Sequence, residues 1–544
     1  MRFSIFHLGI ENDGIHVGGL FEMETSAPRK GFLLEAVADG KSVSSVPGGF
    51  REFRKPDAPQ ITTSRFWDFT IPADSSKPFH VSFLVRFPDG HSEPCRIDYR
   101  NNASLSEKTR TSYFRMRGRL FFSEPPYGFL VRPASFFRHV LAELRYDAWL
   151  LFKQPRRRSK AAIPIRWMAL FLRPILLKRR IWILTDRVTF ADDNGLALFQ
   201  HLASRRKEIG CRPVFFLSRN SPDWDRVQAI GPVRRYTPFR YRFATLFAEW
   251  TLSSSSHGFL LHPLNAVSDG YRGLTPDRKT AFLQHGITMN DVSCSLNRAS
   301  TNLDLFVTAA IPEEQFVVQT KSFGMDRKIV SLAGFPRYDL LEDHRRNIIT
   351  FMPTWRSELF NGWDATTGKG RMKNGLEQSA FYRHLCVALS HPRLLEAANR
   401  LGYSIEFFPH PEWQPHLDQF ALDPRVKKVP VGTKYRNVFA RSAVCVTDWT
   451  SAVFDFAWLG KPVVYYQPDD DLHYDRGYFD YSRDGFGPVT HSADELVDIL
   501  IDLMERDCPM DEPYRSRAKT FFAFHDKDNC RRVTAAILSA SDLE

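Results

Sequence analysis

The sequence has few cysteines for its length. Only seven occur in 544 residues, and they are spread along the chain with no Cys-x-x-Cys among them. This spacing excludes a disulfide framework and a zinc ribbon as the basis of the fold. It indicates a protein that works in a reducing, cytoplasmic setting.

Long apolar runs are also missing. No stretch approaches the roughly 20 apolar residues that a membrane-spanning helix requires. The first residues, MRFSIFHLGIENDG, lack a basic region followed by an apolar one, which is the pattern of a secretory signal. The sequence therefore predicts neither a spanning helix nor a secretory leader.

Positive charge is in excess, and much of it lies in one segment. The formal net charge is +12, which favours anionic partners. Residues 153–180, KQPRRRSKAAIPIRWMALFLRPILLKRR, contain ten Lys or Arg, no acidic residue and a broken apolar centre. Arg166 and Arg173 fall on one face if this segment is helical. The composition predicts association with an anionic membrane surface; the alternatives are a solvated linker and a helix packed on its own protein.

Nucleic acid is not predicted as a partner, although the charge alone would allow it. A zinc finger, an RRM and a helix-turn-helix signature are all missing beside the basic segment.

The chain is too long for one hydrophobic core and divides into four parts. Residues 1–125 hold short apolar runs between turn signals, which predicts a small β-rich accessory domain. Residues 126–180 form the basic amphipathic linker. From residue 181, strands and helices alternate. This pattern predicts two Rossmann-like halves, 181–345 and 346–544, that face a cleft in a GT-B-like α/β architecture.

Polar side chains follow four of the predicted strands, KTAFL, NIITFM, SIEFF and AVCV. Ligands of open α/β sheets bind at the carboxyl ends of the strands, so these side chains are expected to share one site. The residues concerned are His285, Thr354, Arg356, His410, Asp448, Thr450 and Ser451.

Residues 443–467 are expected to form one βαβ unit, with a helix over 452–459 between the strands AVCV and VVYY. Asp448, Thr450 and Ser451 supply the N-cap and first-turn chemistry. Such a helix start favours a phosphate through its free N–H groups and its dipole. The alternative is an ordinary connection between two strands.

Six motifs occur in an order that resembles the CDP-glycerol glycerophosphotransferases, over about residues 181–500. This family usually has Trp-His-Gly where the chain has Gln284-His285-Gly286, and Tyr-Ser-Ser where it has Trp449-Thr450-Ser451. The β-rich first 125 residues lie outside the resemblance. The motifs are QHG at 284–286, GFPRYD at 334–339, PTWR at 353–356, PHP at 409–411, TDWTSAVFDFAWLGKPVVYYQPD at 447–469 and YDRGYFDY at 474–481.

The resemblance implies a transferase of teichoic-acid-like or capsular polymer synthesis at the cytoplasmic membrane face. Such an enzyme moves a polyol phosphate from a CDP-alditol to a hydroxyl of a lipid-linked or polymer acceptor and releases CMP. Glycerol is the expected alditol, with ribitol left open. The implied catalytic pair is His285 and His410. His285 is expected to be the general base and His410 the partner of the leaving group or phosphate, with the reverse assignment left open.

The remaining candidates are assigned to substrate binding. Arg356 suits a bidentate phosphate contact, with Thr354 beside it, and Thr450 and Ser451 complete a phosphate cradle. Asp448 either binds substrate or caps the helix, and Asp455 is a candidate for the alditol. Arg337 and Asp339 are predicted to form an ion pair within an interdomain turn. Metal ligands are not predicted, although Mg²⁺ is compatible with a diphosphate donor.

Two other functions use the same features. A GT-B glycosyltransferase would share the fold and the phosphate site but transfer a sugar from a nucleotide sugar. A non-enzymatic, membrane-bound polymer-binding protein would not need two histidines and an arginine at strand ends.

Overall fold

A computed structural model describes residues 1–542 except 12–13, 26–32, 44–45, 55–60, 73–76, 100–102, 155–156, 265–266, 365–368, 374, 411–412 and 470–476. It consists of a β-rich region, a short helical segment and two α/β halves, each with its own parallel sheet.

The β-rich region contains two mainly antiparallel sheets, in the orders β5-β6-β2-β1-β9 and β10-β11-β12-β7-β3-β4, with β8 paired to β7. Phe3 of the first sheet and Phe83 of the second lie 4.9 Å apart between ring centroids, so the sheets share one core. The predicted β-rich character is confirmed. The strands are β1 (Arg2–Glu11), β2 (Gly14–Thr25), β3 (Leu33–Ala38), β4 (Lys41–Val43), β5 (Val46–Arg54), β6 (Ile61–Ile71), β7 (Phe79–Arg86), β8 (Ser92–Pro94), β9 (Arg96–Tyr99), β10 (Tyr113–Met116), β11 (Arg119–Glu124) and β12 (Gly128–Pro133).

The predicted linker, which includes the basic segment, folds into helices α1 (Phe136–Phe152), α2 (Arg157–Lys160) and α3 (Ile163–Leu176). Arg166 and Arg173 do share one face of α3, but both are buried. Arg166 pairs with Glu143 at 2.5 Å, and Arg173 pairs with Asp277 at 2.5 Å. That face is therefore packed on the protein itself, which was one of the alternatives to membrane association. The ion pairs satisfy the two guanidinium groups, which could not be buried without partners.

The opposite faces of α1 and α3 expose large apolar side chains. Phe137 is 83% exposed, Phe152 82% and Ile175 64%. Phe136 of α1 contacts Phe171 of α3 with ring centroids 6.4 Å apart, so the two helices present one surface. Within the described residues, none of the helices has the length and apolar character needed to cross a membrane.

The first α/β half has an all-parallel sheet in the order β15-β14-β13-β16-β17-β18-β19, which is a doubly wound order. Strand β13 is buried except for its first residue and β18 is buried throughout, as expected of strands covered on both faces. The strands are β13 (Ile181–Thr185), β14 (Arg212–Leu217), β15 (Val233–Arg235), β16 (Ala248–Ser253), β17 (Lys279–Phe282), β18 (Leu305–Thr308) and β19 (Val330–Leu332); the helices are α4 (Asn194–Ser204), α5 (Arg206–Ile209), α6 (Trp224–Ile230), α7 (Pro238–Thr245), α8 (Gly258–Leu261), α9 (Arg298–Thr301) and α10 (Ile311–Gln319).

The second half repeats this plan with the parallel order β24-β23-β20-β25-β26-β27, and a hairpin of β21 and β22 follows β20. Local signals set its helix ends: Pro392 opens α12, and Gly402 ends it at a φ of 73°. The strands are β20 (Ile348–Met352), β21 (Phe360–Asp364), β22 (Lys369–Met372), β23 (Ser404–Phe407), β24 (Val426–Lys428), β25 (Val444–Thr447), β26 (Val463–Tyr466) and β27 (Val489–Thr490); the helices are α11 (Ala380–Leu389), α12 (Pro392–Leu401), α13 (Tyr435–Arg441), α14 (Val453–Trp458), α15 (Tyr481–Asp484), α16 (Ala493–Glu505), α17 (Tyr514–Phe521) and α18 (Asn529–Asp542).

The two halves are tied together by a shared core and by the last helix. Tyr338, in the 3₁₀ turn Pro336–Leu340 between the halves, packs 5.0 Å from Trp458 of α14. Helix α18 returns to the first half, where Ser541 accepts a hydrogen bond from the indole of Trp250. Other 3₁₀ turns span Leu177–Arg179, Asp269–Tyr271, Ser357–Leu359, Leu376–Gln378 and Gln414–Gln419.

Candidate active site

His285 is presented by a tight turn directly after β17. Gln284 has a φ of 62°, in the left-handed region that side chains other than glycine seldom adopt. Its buried amide donates to the carbonyl of Val307 at 2.7 Å and to the carboxylate of Glu313 at 2.8 Å, and it accepts from Thr288 at 2.8 Å. These bonds hold the strained turn and fix the position of His285.

The His285 ring is oriented by the first half. Its Nδ1 lies 3.2 Å from the carbonyl oxygen of Ser254. A carbonyl only accepts, so Nδ1 carries the proton and Nε2 keeps a free lone pair. Ser254 is itself held by Asp186, to which its hydroxyl donates at 2.7 Å. Burial lowers the pKa of His285 from its ordinary value, which favours the neutral ring.

His410 follows β23 of the second half, and its ring stacks on Trp355 at 6.4 Å and 27°. Burial lowers the pKa of His410 to about 4, and the charges of Arg187 and His285 also lower it. These electrostatic effects act across the boundary between the halves, because His285 and Arg187 belong to the first half. The two predicted histidines therefore lie in the same cleft.

The structure brings together Thr354, Arg356 and Asp448, and their polar groups bond mainly to one another. The Thr354 backbone N–H donates to Asp448 at 2.8 Å, and Arg356 donates to the other carboxylate oxygen at 2.8 Å. Arg356 is buried and lies 4.7 Å above the ring of Phe381. The alternative that Asp448 caps α14 is wrong, because its carboxylate is turned toward β20.

The loop before α14 meets the His285 turn across the cleft. A Cβ placed on Gly286 would lie 2.8 Å from the hydroxyl of Ser451, so the two segments are in contact. Helix α14 begins at Val453, and its N-cap residue is Ala452, whose methyl group cannot accept a hydrogen bond. The hydroxyl of Thr450 accepts from the N–H of Ala452 at 3.2 Å. With only six residues, the helix contributes a weak dipole, and the hydroxyls are its main polar groups.

Arg337, in the turn between the halves, contacts both α14 and the residue before α4. The predicted ion pair of Arg337 with Asp339 is wrong. Arg337 forms a bidentate pair with Asp455 of α14, at 2.6 and 2.7 Å, and a further bond with Asp193 at 2.8 Å. Asp339 instead accepts from the backbone N–H of Cys530, at the start of α18. Both carboxylate oxygens of Asp455 are thus engaged by Arg337.

A pocket with about 360 Å³ of empty space opens beside the Arg356–Asp448 pair. It lies at the carboxyl ends of β20, β25 and β26, and its lining includes Phe381, His384 and Tyr466. His384 pairs with Asp469 at 2.8 Å on its wall. In the part of the chain that is described, His, Cys, Asp and Glu form no group of three or more that could hold a metal ion.

Several of these contacts were not anticipated from the sequence. The contacts of Asp186 with Ser254 and of Arg337 with Asp193 and Asp455 join residues that share no motif. The position of Arg187, an exposed cation, was not predicted either. The only available signal was position, since Asp186 and Arg187 directly follow an apolar strand. Pro411 and residues 474–476 of the sequence motifs fall outside the described residues.

Comparison with known proteins adds an independent finding. A family model described as CDP-Glycerol:Poly(glycerophosphate) glycerophosphotransferase matches residues 167–539. The chain is 32% identical over 386 residues to the minor teichoic acid biosynthesis protein GgaB of Bacillus subtilis (strain 168), covering 70% of this chain but 42% of that protein. It is 20% identical over 375 residues to the teichoic acid poly(glycerol phosphate) polymerase of Bacillus spizizenii, covering 63% of this chain and 88% of that protein.

A solved structure of the wall teichoic acid polymerase TagF shares the fold. Its TM-score is 0.52 at 14% sequence identity, over 75% of this chain and 98% of that one. At this level of identity the likeness concerns the fold alone.

Proposed function

The chain belongs to the CDP-glycerol:poly(glycerophosphate) glycerophosphotransferase family, and from this we propose that it transfers glycerol phosphate from CDP-glycerol to a hydroxyl of a polymer or lipid-linked acceptor. CMP is the second product, and the product polymer is teichoic-acid-like or capsular. The observation that carries the proposal is the proximity of His285 and His410, which come from opposite halves and interact electrostatically inside the family-matched region.

The proposed architecture is GT-B-like, with halves at 181–345 and 346–544. The predicted limit between 1–125 and 126–180 moves to residue 133, because β12 pairs with β11 and β7 of the β-rich region. Two doubly wound sheets support the GT-B-like architecture, since their strand orders repeat. The contact between Gly286 and Ser451 also supports it, because it joins the carboxyl edges of both sheets, where ligands of such sheets bind.

His285 is the proposed general base. Its Nδ1 proton is committed to Ser254, so Nε2 can take the proton of the acceptor hydroxyl. The acceptor oxygen then attacks the phosphorus that carries the glycerol. A new P–O bond forms, the P–O bond to CMP breaks, and CMP leaves with that electron pair.

His410 is the proposed partner of the leaving group. It is neutral in the free protein because burial lowers its pKa to about 4. A bound diphosphate brings negative charge next to the ring and raises this pKa. The ring can then donate a hydrogen bond or a proton to the departing CMP, which lowers the barrier to bond breaking.

The donor phosphates are proposed to bind at Thr450 and Ser451, whose hydroxyls lie beside the His285 turn. Thr354, Arg356 and Asp448 form the wall behind this position. Asp455 is proposed to support donor binding indirectly, by pairing with Arg337, which holds α14 against the first half.

Peripheral binding to the cytoplasmic face of an anionic membrane is part of the proposal. The apolar surface of α1 and α3, defined by Phe136, Phe137, Phe152, Phe171 and Ile175, is exposed. Exposed basic residues flank it at Lys153, Arg157, Arg158 and Lys160. Apolar insertion and attraction to anionic lipid act together on such a surface.

The decisive experiment measures CMP release from CDP-glycerol and from CDP-ribitol with a lipid-linked acceptor. We expect acceptor-dependent CMP from the wild type and its loss in His285→Ala and in His410→Ala. His257→Ala is the matched control, because His257 is exposed at the end of the neighbouring strand β16.

Absence of CMP from both donors, with acceptors varied, would contradict the proposal. Turnover of a nucleotide sugar would then identify a glycosyltransferase. Polymer binding that survives both histidine substitutions without any turnover would identify a binding protein.

A further inference from the structure

Arg187 occupies a defined place at the mouth of the cleft. It follows Asp186 at the carboxyl end of β13, an inner strand of the first sheet. The loop that it opens is pinned by reciprocal backbone hydrogen bonds between Arg187 and Phe190, both at 3.3 Å, and by Ser218, whose N–H donates to Val188 at 2.7 Å. The backbone is therefore held while the side chain is exposed.

This loop connects the surroundings of both histidines. On one side, Asp186 bonds Ser254, and Ser254 accepts from His285. On the other side, the Phe190 ring lies 5.8 Å from the ammonium of Lys434 in the second half. Beyond Lys434, Tyr435 packs on Phe408 with centroids 5.0 Å apart, two residues before His410.

The charge of Arg187 reaches both rings. It contributes to the lowered pKa of His285 and to the lowered pKa of His410, after burial in each case. Arg187 therefore lies within electrostatic range of both rings, because Coulomb interactions weaken with distance and with screening by water.

Other cations of the cleft are already neutralised. Arg337 is held by Asp455 and Asp193, and Arg356 by Asp448. Lys434 pairs with Asp223 at 2.6 Å. Among the residues that the structure describes, the guanidinium of Arg187 makes neither an ion pair nor a hydrogen bond.

We propose that Arg187 binds the diphosphate of the CDP-linked donor, between His285 and His410. The inference rests on the proposed function, and it moves the main cationic phosphate contact from the buried Arg356 to an exposed residue of the other half. Arginine suits this task because its planar donors can contact two phosphate oxygens at once. A cation contributed by the first half would also draw that half toward a donor held by the loop before α14.

The test compares the dissociation constants of CDP and of cytidine for the wild type, Arg187→Gln and Arg187→Lys. CDP contains the diphosphate and cytidine does not. The matched control is Arg206→Gln, because Arg206 is also exposed but lies in α5, which leads into the opposite, amino edge of the same sheet. Because Arg187 has no partner in the described protein, its substitution is expected to leave the melting temperature unchanged.

We expect Arg187→Gln to weaken CDP binding about tenfold, as for loss of a charge-assisted hydrogen bond, with little change for cytidine. The CDP affinity of Arg187→Lys should fall between those of the wild type and Arg187→Gln, and that of Arg206→Gln should match the wild type. Removing the positive charge should also raise the pKa of His285, which moves the acid limb of the kcat/KM profile to higher pH. Arg187→Lys should keep the wild-type profile.

The outcomes separate this inference from the proposed function. If the wild type binds CDP and releases CMP while Arg187→Gln has an unchanged CDP affinity, the role of Arg187 is refuted and the transferase stands. If the wild type neither binds CDP nor releases CMP, both are refuted. Equal losses for CDP and cytidine would also refute a diphosphate contact.

Discussion

His285 owes its proposed role to one hydrogen bond. The bond from Nδ1 to the carbonyl of Ser254 selects the tautomer whose Nε2 can accept a proton. A histidine at the end of a strand is ordinarily a structural residue, and its role depends on which ring nitrogen is already occupied. Here the occupied nitrogen is the one that points back into the first half.

His285→Asn should separate orientation from proton transfer. The asparagine amide can reproduce the Nδ1 donor to Ser254, but it places no basic nitrogen at the Nε2 position. We expect CMP release to fall at least about 100-fold, in the usual range for loss of a general base, with a nearly unchanged melting temperature. His257→Asn serves as the control, and retention of a tenth of the activity would require another base.

The pH dependence follows from the same buried histidines. Burial lowers the pKa of His285 below its ordinary value of 6.5, so the neutral base persists to lower pH than for a free histidine. We therefore expect the acid limb of the kcat/KM profile to have its midpoint below pH 6.5. An acid limb with its midpoint above pH 6.5 would contradict His285 as the base.

The turn between β17 and the loop after it shows how an element presents the proposed catalytic group His285. Gln284 adopts a φ of 62° and is held there by Val307, Glu313 and Thr288. The side-chain bonds offset the backbone strain. The turn therefore depends on both the conformation of the backbone and the amide of this residue.

Gln284→Gly and Gln284→Ala should distinguish these two contributions. Both remove the amide, but glycine adopts the left-handed region without strain while alanine does not. We expect both variants to lose stability and activity, with Gln284→Gly the more stable by about 1 kcal/mol. Urea denaturation measures the difference, and equal stabilities would show that the conformation carries no strain.

Sequence patterns predicted the elements better than their polar contacts. Strand β25 ends directly before Asp448, β26 directly before Gln467 and β20 directly before Pro353, because burial and turn residues leave local signals. The pair of Arg356 with Asp448 joins residues 92 apart, and that of Arg337 with Asp455 joins residues 118 apart. Such pairs have no period along the chain, so they become visible only once both sheets are assembled.

The relation between the two halves rests on Arg337 as well as on the shared core. Its guanidinium links α14 of the second half to Asp193 at the start of α4 in the first. All three side chains are largely buried, which makes the loss of one partner costly for the others. The pair also sets the position of α14 relative to the His285 turn.

Arg337→Met should destabilise the protein by about 3 kcal/mol, because the buried carboxylate of Asp455 and the half-buried one of Asp193 lose their cation. The control is Arg506→Met. Arg506 also bridges two aspartates, Asp502 and Asp511, but it is exposed, and exposed pairs contribute at most about 1 kcal/mol. The free energy of unfolding in urea is the measurement, and similar losses for the two variants would contradict a special role for Arg337.

At the scale of the whole molecule, α1 and α3 present an apolar surface that is not packed into the described core. Phe137 and Phe152 are 83% and 82% exposed, at opposite ends of α1. Soluble surfaces seldom expose contiguous large apolar groups without a binding role. The double variant Phe137→Ser/Phe152→Ser should therefore lower co-sedimentation with vesicles of anionic lipid at least about tenfold, since each buried phenylalanine contributes about 1.5–3 kcal/mol.

Val387→Ser is the matched control for the vesicle experiment, because Val387 is 56% exposed on α11 of the second half. CMP release with a water-soluble acceptor should be unchanged in the double variant, since α1 lies outside the cleft that holds both histidines. Raising the salt concentration should weaken vesicle binding through the basic residues near α2. Equal vesicle binding by the double variant and the wild type would show that this surface has another occupant, because an inserted aromatic face cannot lose two phenylalanines without losing affinity.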